Sequence, residues 1–332
     1  MSLLDRRWLD SGEEEPLDPE QLICDPHHHN WDTPQGRYMR EELSLDLQGH
    51  RVKKTVFVEC GSSYFTTGPE CLRPVGETHF VQSIAEQRLN AEDGPGLLAG
   101  IVGHADLLRG ADVDEVLEAH LAASPDRFRG IRHCAAWHES SKIRPSHSTP
   151  PAHMLSLPSF RRGFARLAEY GLSFDAWLFH TQLEELYELA LAFPETLIVI
   201  DHMGGPLGIG PFEGRRKQVF EDWKPSMSRL AQCENVMVKL GGLQMAISGF
   251  SWHRRDKPPS SMELAEAVRA YYLYCIERFG VDRCMFESNF PVDKVSCSYN
   301  VLWNCFKTIV HDFSDSEKRA LFGETAERTY RI

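Results

Sequence analysis

Short apolar runs rich in β-branched residues alternate along this chain with longer stretches in which apolar positions recur every three or four residues. The first pattern belongs to strands buried on both faces, the second to helices that lay one stripe against a sheet. Eight runs read as strands, at 22–29, 55–60, 97–104, 130–136, 172–178, 197–201, 236–240 and 284–289. Helical patterns fall at 78–90, 112–123, 159–170, 182–193, 215–232, 262–279 and 299–311. Asp112 and Ser159 stand where an N-cap is wanted, and Gly171 and Gly280 where a helix C-terminus takes a left-handed residue. Successive βα units in this number predict an α/β fold of the (β/α)8 TIM-barrel type. A doubly wound open sheet competes, but its GxGxxG turn is missing after the first strand.

Four long segments with little regular pattern follow predicted strands, at 31–50, 137–158, 204–214 and 241–261. Loops of this length inside a compact domain are usually functional, and in a barrel they gather at the C-terminal mouth. Residues 22–332 therefore read as a single barrel domain with long βα loops, and residues 1–21 as a polar, solvated N-terminal tail without a role of its own. Tyr271, Tyr272 and Tyr274 have helical spacing and are expected in the core or at an interface, which leaves a homo-oligomer open.

Composition narrows the partners. The 332 residues carry 36 Lys and Arg against 48 Asp and Glu, a net charge of −12, with no basic stripe to neutralise a row of phosphates. Nucleic acid is not expected, and a small-molecule substrate is. No run approaches the roughly 18 apolar residues of a membrane span, and the N-terminus lacks a signal-length apolar stretch. The nine cysteines form no CxxC pair and several sit in apolar runs, which predicts reduced thiols and a cytoplasmic chain.

Candidate chemistry lies at predicted strand ends. In Asp25-Pro26-His27-His28-His29-Asn30-Trp31-Asp32, alternation puts His27 and His29 on one face, where they could share a divalent metal or simply hydrogen-bond their neighbours. His28 faces the other way and is expected to be structural. His202 ends the sixth strand at the same rim. On the eighth strand Glu287 and Asn289 share a side, with Glu287 one layer beneath. A carboxylate inside a barrel must be paired, metal-bound or protonated, and Glu59 near the end of the second strand raises the same requirement. Arg132 and His133 point opposite ways, so an inward Arg132 either clamps a substrate carboxylate or pairs with Glu59 or Asp175. Trp31 and Tyr64, with other loop aromatics, either line a ring-shaped pocket or anchor loops to the rim.

DPHHHNWD, FRGIRH, VIDHMGGP, NVMVKLGGL, MFESNFPVDK and the tail LFGETAERTYRI, in this order over residues 22–332, resemble the amidohydrolase-2 family, which includes sugar-acid and pyrone-dicarboxylate lactonases. The resemblance implies a distorted (β/α)8 barrel and a hydrolase that opens lactones or related cyclic esters or amides. It implies metal ligands at His27, His29 and His202, holding zinc or manganese, while members of the family differ in metal need and a metal-free site stays open. His180 resembles the position from which related decarboxylases donate a ligand, so non-oxidative decarboxylation of an aromatic acid is the alternative enzyme reading.

The departure from the family is Asn289, where an Asp is commonly found as general base. Asn cannot accept a proton at neutral pH. Glu287 acting from the layer below, Asp293 folding back from its loop, or a catalytically altered binding homologue are the three ways out, with Glu287 ranked first.

Overall fold

The computed structural model describes residues 6–33, 36–87, 97–144 and 148–332. Within them, β1 (Leu22–His28), β2 (Arg51–Val58), β3 (Gly100–Gly103), β4 (Phe128–Ile131), β5 (Ser173–Ala176), β6 (Ile198–Ile200), β7 (Val236–Leu240) and β8 (Cys284–Phe286) form one sheet in chain order, every neighbouring pair parallel. The ring closes past the end of β8. There the Asn289 N–H donates to the His27 carbonyl at 2.9 Å and the His29 N–H to the Phe290 carbonyl at 2.8 Å. The expected TIM-type barrel is the observed one.

Each strand is followed by a helix: Arg40–Asp46, Val75–Glu86, Asp114–Ala123, Pro158–Glu169, Leu183–Ala192, Arg216–Leu230, Ser261–Phe279 and Tyr299–Ile309. The first of these was not anticipated, because segment 31–50 reads as irregular; two turns are too short to display a period. The segment also holds a hairpin, Trp31–Thr33 with Gly36–Tyr38. Neither expected N-cap caps: Asp112 lies in a 3-10 stretch whose cap is Asp106, and Pro158 opens its helix with Ser159 inside the first turn. Gly171 and Gly280 do take positive φ, 63° and 79°. Residues 88–90 of the expected 78–90 helix and 1–5 of the tail lie outside the described residues.

The rest of the leader is largely exposed, yet hydrogen bonds tie it to the barrel's helices. Asn304 Oδ1 accepts the Leu17 N–H at 2.8 Å, Lys307 Nζ donates to the Leu17 carbonyl at 2.6 Å, and Glu14 accepts the Ser261 N–H at 2.7 Å. Its polar composition hides this, since the contacts are hydrogen bonds to helix residues far along the chain.

Strand alternation sorts the core into an outer apolar shell and a barrel interior. On β6, β7 and β8 the residues Ile198, Ile200, Val236, Val238, Leu240, Cys284 and Phe286 face the helices, each burial of this kind contributing roughly 1.5–3 kcal/mol. Cys24, Val56, Val58, Val102, Val199 and Met285 face inward, where the ring of Tyr330 from the C-terminal helix Thr325–Tyr330 closes them off. Two residues further on, the same inward face changes character: Val199 is succeeded by Asp201, Met237 by Lys239 and Met285 by Glu287, all buried. The barrel thus carries an apolar lower layer, a charged middle layer and an open upper end.

Candidate active site

The charged layer is one connected network. Lys239 Nζ lies 2.6 Å from Asp175 Oδ2, 3.0 Å from Asp201 Oδ1 and 3.3 Å from His27 Nδ1. Tyr330 donates its hydroxyl to the same Asp175 oxygen at 2.6 Å. Arg132 Nε holds Glu59 Oε1 at 2.7 Å and its Nη2 donates to the Glu59 carbonyl, while Nη1 reaches His27 Nε2 at 3.3 Å and Asp201 Oδ2 at 3.4 Å. Of the two pairings open to Arg132, the Glu59 one is realised; Asp175 goes to Lys239. This commits the guanidinium to the protein.

Glu287 joins the network to the upper end. Its Oε2 lies 2.8 Å from His27 Nδ1 and its Oε1 lies 2.6 Å from His202 Nδ1. Burial pushes this carboxyl up, but His202 and His27 outweigh it and bring it to about 2, so it is ionised. Burial also pushes the His202 imidazole below its ordinary value against the pull of Glu287, and pushes His29 well down. Both shifts favour the neutral ring. His29 Nδ1 donates to the Val58 carbonyl at 2.8 Å, which leaves its Nε2 unprotonated.

Local backbone geometry sets these positions. His202 sits at φ 53° in the turn Asp201–Gly204 that ends β6, and its N–H donates to Glu287 at 3.1 Å. Gly242 faces it, and a Cβ there would lie 2.4 Å from His202 Cγ. Asn289, also at φ 53°, donates its side-chain amide to Asp293 Oδ1 at 2.9 Å. Burial drives the Asp293 carboxyl well up, against the hydrogen bonds from Asn289 and the Gln244 N–H.

Above this floor is a cavity of about 450 Å³, with His29, Arg132, His202 and Asn289 at its polar end. Trp31, Trp177, Phe179, Met245, Ile247 and Val292 form most of its walls. The structure thus brings together His29, His202, Arg132, Asn289 and Trp31, with His27 directly beneath, its ring 5.0 Å from that of His29 and 4.6 Å from that of His202. Glu287 lies under the floor, reaching the cavity through His202. Asp293 stands behind Asn289. His180 is turned away, its Nδ1 accepting the Leu207 N–H at 3.4 Å and its ring against Phe212, and Tyr64 lines a separate cleft with Arg73 and Arg109. His28 is structural as expected, bonded to Thr55 at 3.0 Å.

The sequence reading missed Lys239, Asp201, Trp177, Phe179 and Arg144. Lys239 carried a signal, being a lone cation on the inward parity of an apolar strand.

Among the described residues one group of donors could hold a metal ion: His27, Asp201 and His202, with ligand atoms within 4.8 Å of one another. Two imidazoles and a carboxylate suit zinc or manganese. Charge agrees. If Glu59, Asp175, Asp201 and Glu287 are all ionised, the network holds four negative charges against Arg132 and Lys239, a difference matched by one divalent ion or by protons on the histidines. The residues present therefore fit such an ion, although Arg132 Nη1 already faces two of the donors.

The amidohydrolase family model matches residues 24–332. A curated relative, the uncharacterized protein y4mH of Sinorhizobium fredii, is 33% identical over 332 residues, covering 93% of this chain and 98% of its own length. The L-fucono-1,5-lactonase of Burkholderia ambifaria is 27% identical over 291 residues, covering 81% and 87%. Among solved structures, an amidohydrolase from Burkholderia multivorans with bound zinc superposes with a TM-score of 0.72 at 20% identity, over 94% of this chain and 99% of that one. With the family's motifs gathered at one barrel mouth, the chain belongs to the amidohydrolase family of enzymes.

Proposed function

We propose that this enzyme is a hydrolase that opens a lactone or related cyclic ester, with His202 as general base. The observation that carries this is the contact between His202 Nδ1 and Glu287 at 2.6 Å, which leaves the other ring nitrogen to the cavity. Glu287 here acts as a positioning residue for His202, taking the place of the missing strand-eight Asp by one intermediate imidazole.

The neutral imidazole accepts a proton from water as the oxygen attacks the ring carbonyl. The ionised Glu287 stabilises the imidazolium that forms, in the manner of a buried acid behind a catalytic histidine. Arg132, held rigidly by Glu59, puts fixed positive charge beside the developing oxyanion. Collapse of the tetrahedral adduct breaks the ring C–O bond, and the imidazolium returns its proton to the departing alkoxide, leaving a hydroxyl and a carboxylic acid on one product; the acid then ionises and releases its proton to solvent. Were a divalent ion held by His27, Asp201 and His202, it would polarise the carbonyl or acidify the water, and His202, its free nitrogen then on the ion, would serve as a ligand in place of a base. The proton transfers above are those the side chains perform themselves.

The test is acid release from a panel of five- and six-membered lactones, followed at constant pH. His202→Asn should lower turnover by about 10²–10⁴-fold. Absence of acid release from every lactone in the panel sinks the proposal.

A further inference from the structure

The charged layer under the cavity is held from below by the end of the chain. Tyr330 closes the C-terminal helix Thr325–Tyr330, is fully buried, and lies in one apolar cluster with Val56, Val58, Val102 and Val199 at the lower end of the barrel. The segment is pinned from several strands. Lys54 Nζ donates to the Ile332 carbonyl at 3.0 Å, Arg331 Nη2 donates to the Gly171 carbonyl at 2.7 Å, and Thr325 Oγ1 donates to the Val281 carbonyl at 3.0 Å. Residues on β2 and just before β5 and β8 thus fix where the Tyr330 ring stands.

Tyr330 has two holds on Lys239. Its hydroxyl donates to Asp175 Oδ2 at 2.6 Å, the oxygen that Lys239 Nζ meets at 2.6 Å, and Nζ stands over the Tyr330 ring, 5.4 Å from its centroid. From Nζ it is 3.0 Å to Asp201 Oδ1 and 3.3 Å to His27 Nδ1. His27 in turn meets Glu287, the carboxylate behind His202. An ammonium between two carboxylates rests where their pulls balance. The Tyr330 hydroxyl shares the Asp175 oxygen and so weakens its pull on Lys239; with that donor gone, Nζ is drawn toward Asp175 and away from Asp201 and His27.

We infer that Tyr330 is a positioning residue for the active site, acting through Asp175 and Lys239 on Asp201 and His27. Its kinetic consequence rests on the hydrolase reading of the same site. Neither Tyr330 nor Lys239 is among the described residues that line the cavity, so the effect falls on the reacting groups and not on substrate binding.

Tyr330→Phe keeps the ring and removes only the donor. With a lactone that the wild type opens, kcat should fall about ten-fold, the worth of one hydrogen bond to a charged group, while KM stays within about two-fold. The ¹⁵N resonances of the His27 ring, assigned by their loss in His27→Gln, report the displacement without turnover. They should shift in Tyr330→Phe, whereas those of the exposed His153 and His311 rings should not. A purely structural Tyr330 would lower the urea midpoint and leave both kcat per folded molecule and the His27 resonances as in the wild type, which overturns the inference. So does a rise in KM at constant kcat, or a His27 signal that stays in place. If the wild type opens no lactone, the hydrolase reading fails, and the His27 resonances alone decide whether Tyr330 positions the layer.

Discussion

His202 Nδ1 lies 2.6 Å from Glu287 Oε1, and the same carboxylate oxygen accepts the His202 backbone N–H at 3.1 Å. One buried acid therefore fixes both the ring and the backbone of the residue that faces the substrate. Its other oxygen is 2.8 Å from His27 Nδ1, so the ring beneath is fixed as well.

Glu287→Gln keeps the shape and removes the charge. The Gln carbonyl can take the place of Oε1 between the two His202 N–H groups, but it carries no charge to stabilise the imidazolium that forms. Turnover should fall about 10²–10⁴-fold with the circular dichroism spectrum unchanged. Full activity in this variant removes Glu287 from the mechanism.

Gly242→Ala places a Cβ 2.4 Å from His202 Cγ, at a residue whose φ is +71°. The imidazole must move or the turn must deform, at a cost of about 1–3 kcal/mol. A displaced base loses rate more than binding, so kcat should fall while the KM of a lactone that is turned over changes little. Wild-type kinetics here would mean that His202 tolerates displacement and is not the base.

Acid should destabilise the fold well before the carboxylates of the active site titrate. Burial holds His50, His120 and His180 at about 4 and His133 at about 3, against an ordinary 6.5. The unfolded chain takes up these protons first, so the stability they contribute is present above pH 6.5 and is lost as pH falls toward 4. Buried acids act oppositely, Asp25 at about 6 and Glu77 at about 8 with Asp175 and Asp293 also raised, since the folded state keeps their protons longest. With His28 at about 3 and His29 and His202 also lowered, seven buried imidazoles stand against four acids and leave a net loss. The urea midpoint should therefore drop between pH 7 and pH 4.5; a constant midpoint would contradict it.

Metal uptake follows the donor group. His27→Ala and Asp201→Asn should each lower the zinc that co-purifies or is taken up on dialysis, read by mass spectrometry of the protein. If wild type takes up no stoichiometric zinc and chelators leave its activity intact, these side chains work as proton and hydrogen-bond groups beside Arg132 and Lys239.

The chain's own pattern was enough for the barrel, because eight apolar runs with intervening helical periods have few ways to bury themselves. The two-turn helix Arg40–Asp46, the short strand pair before it, the two N-caps and the tethering of the leader escaped, the helix because it is too short for a period and the leader because polar contacts hold it. Within the site, alternation alone put His27 with His29 and Glu287 under Asn289, since parity along a strand is a local property. Which partner each group chose was not local. Arg132 had Glu59 and Asp175 before it on equal terms, and Lys239 took Asp175 because it stands two strands away on the same inward layer. His180 and Tyr64 left the cavity, and Arg144 entered it, through loop paths that no periodicity encodes, whereas Trp177 follows the inward parity of Asp175. The sequence determined the barrel and the faces on which its charges lie; distances across the barrel, which set each pairing and each proton, exist only once eight strands have closed around a shared axis.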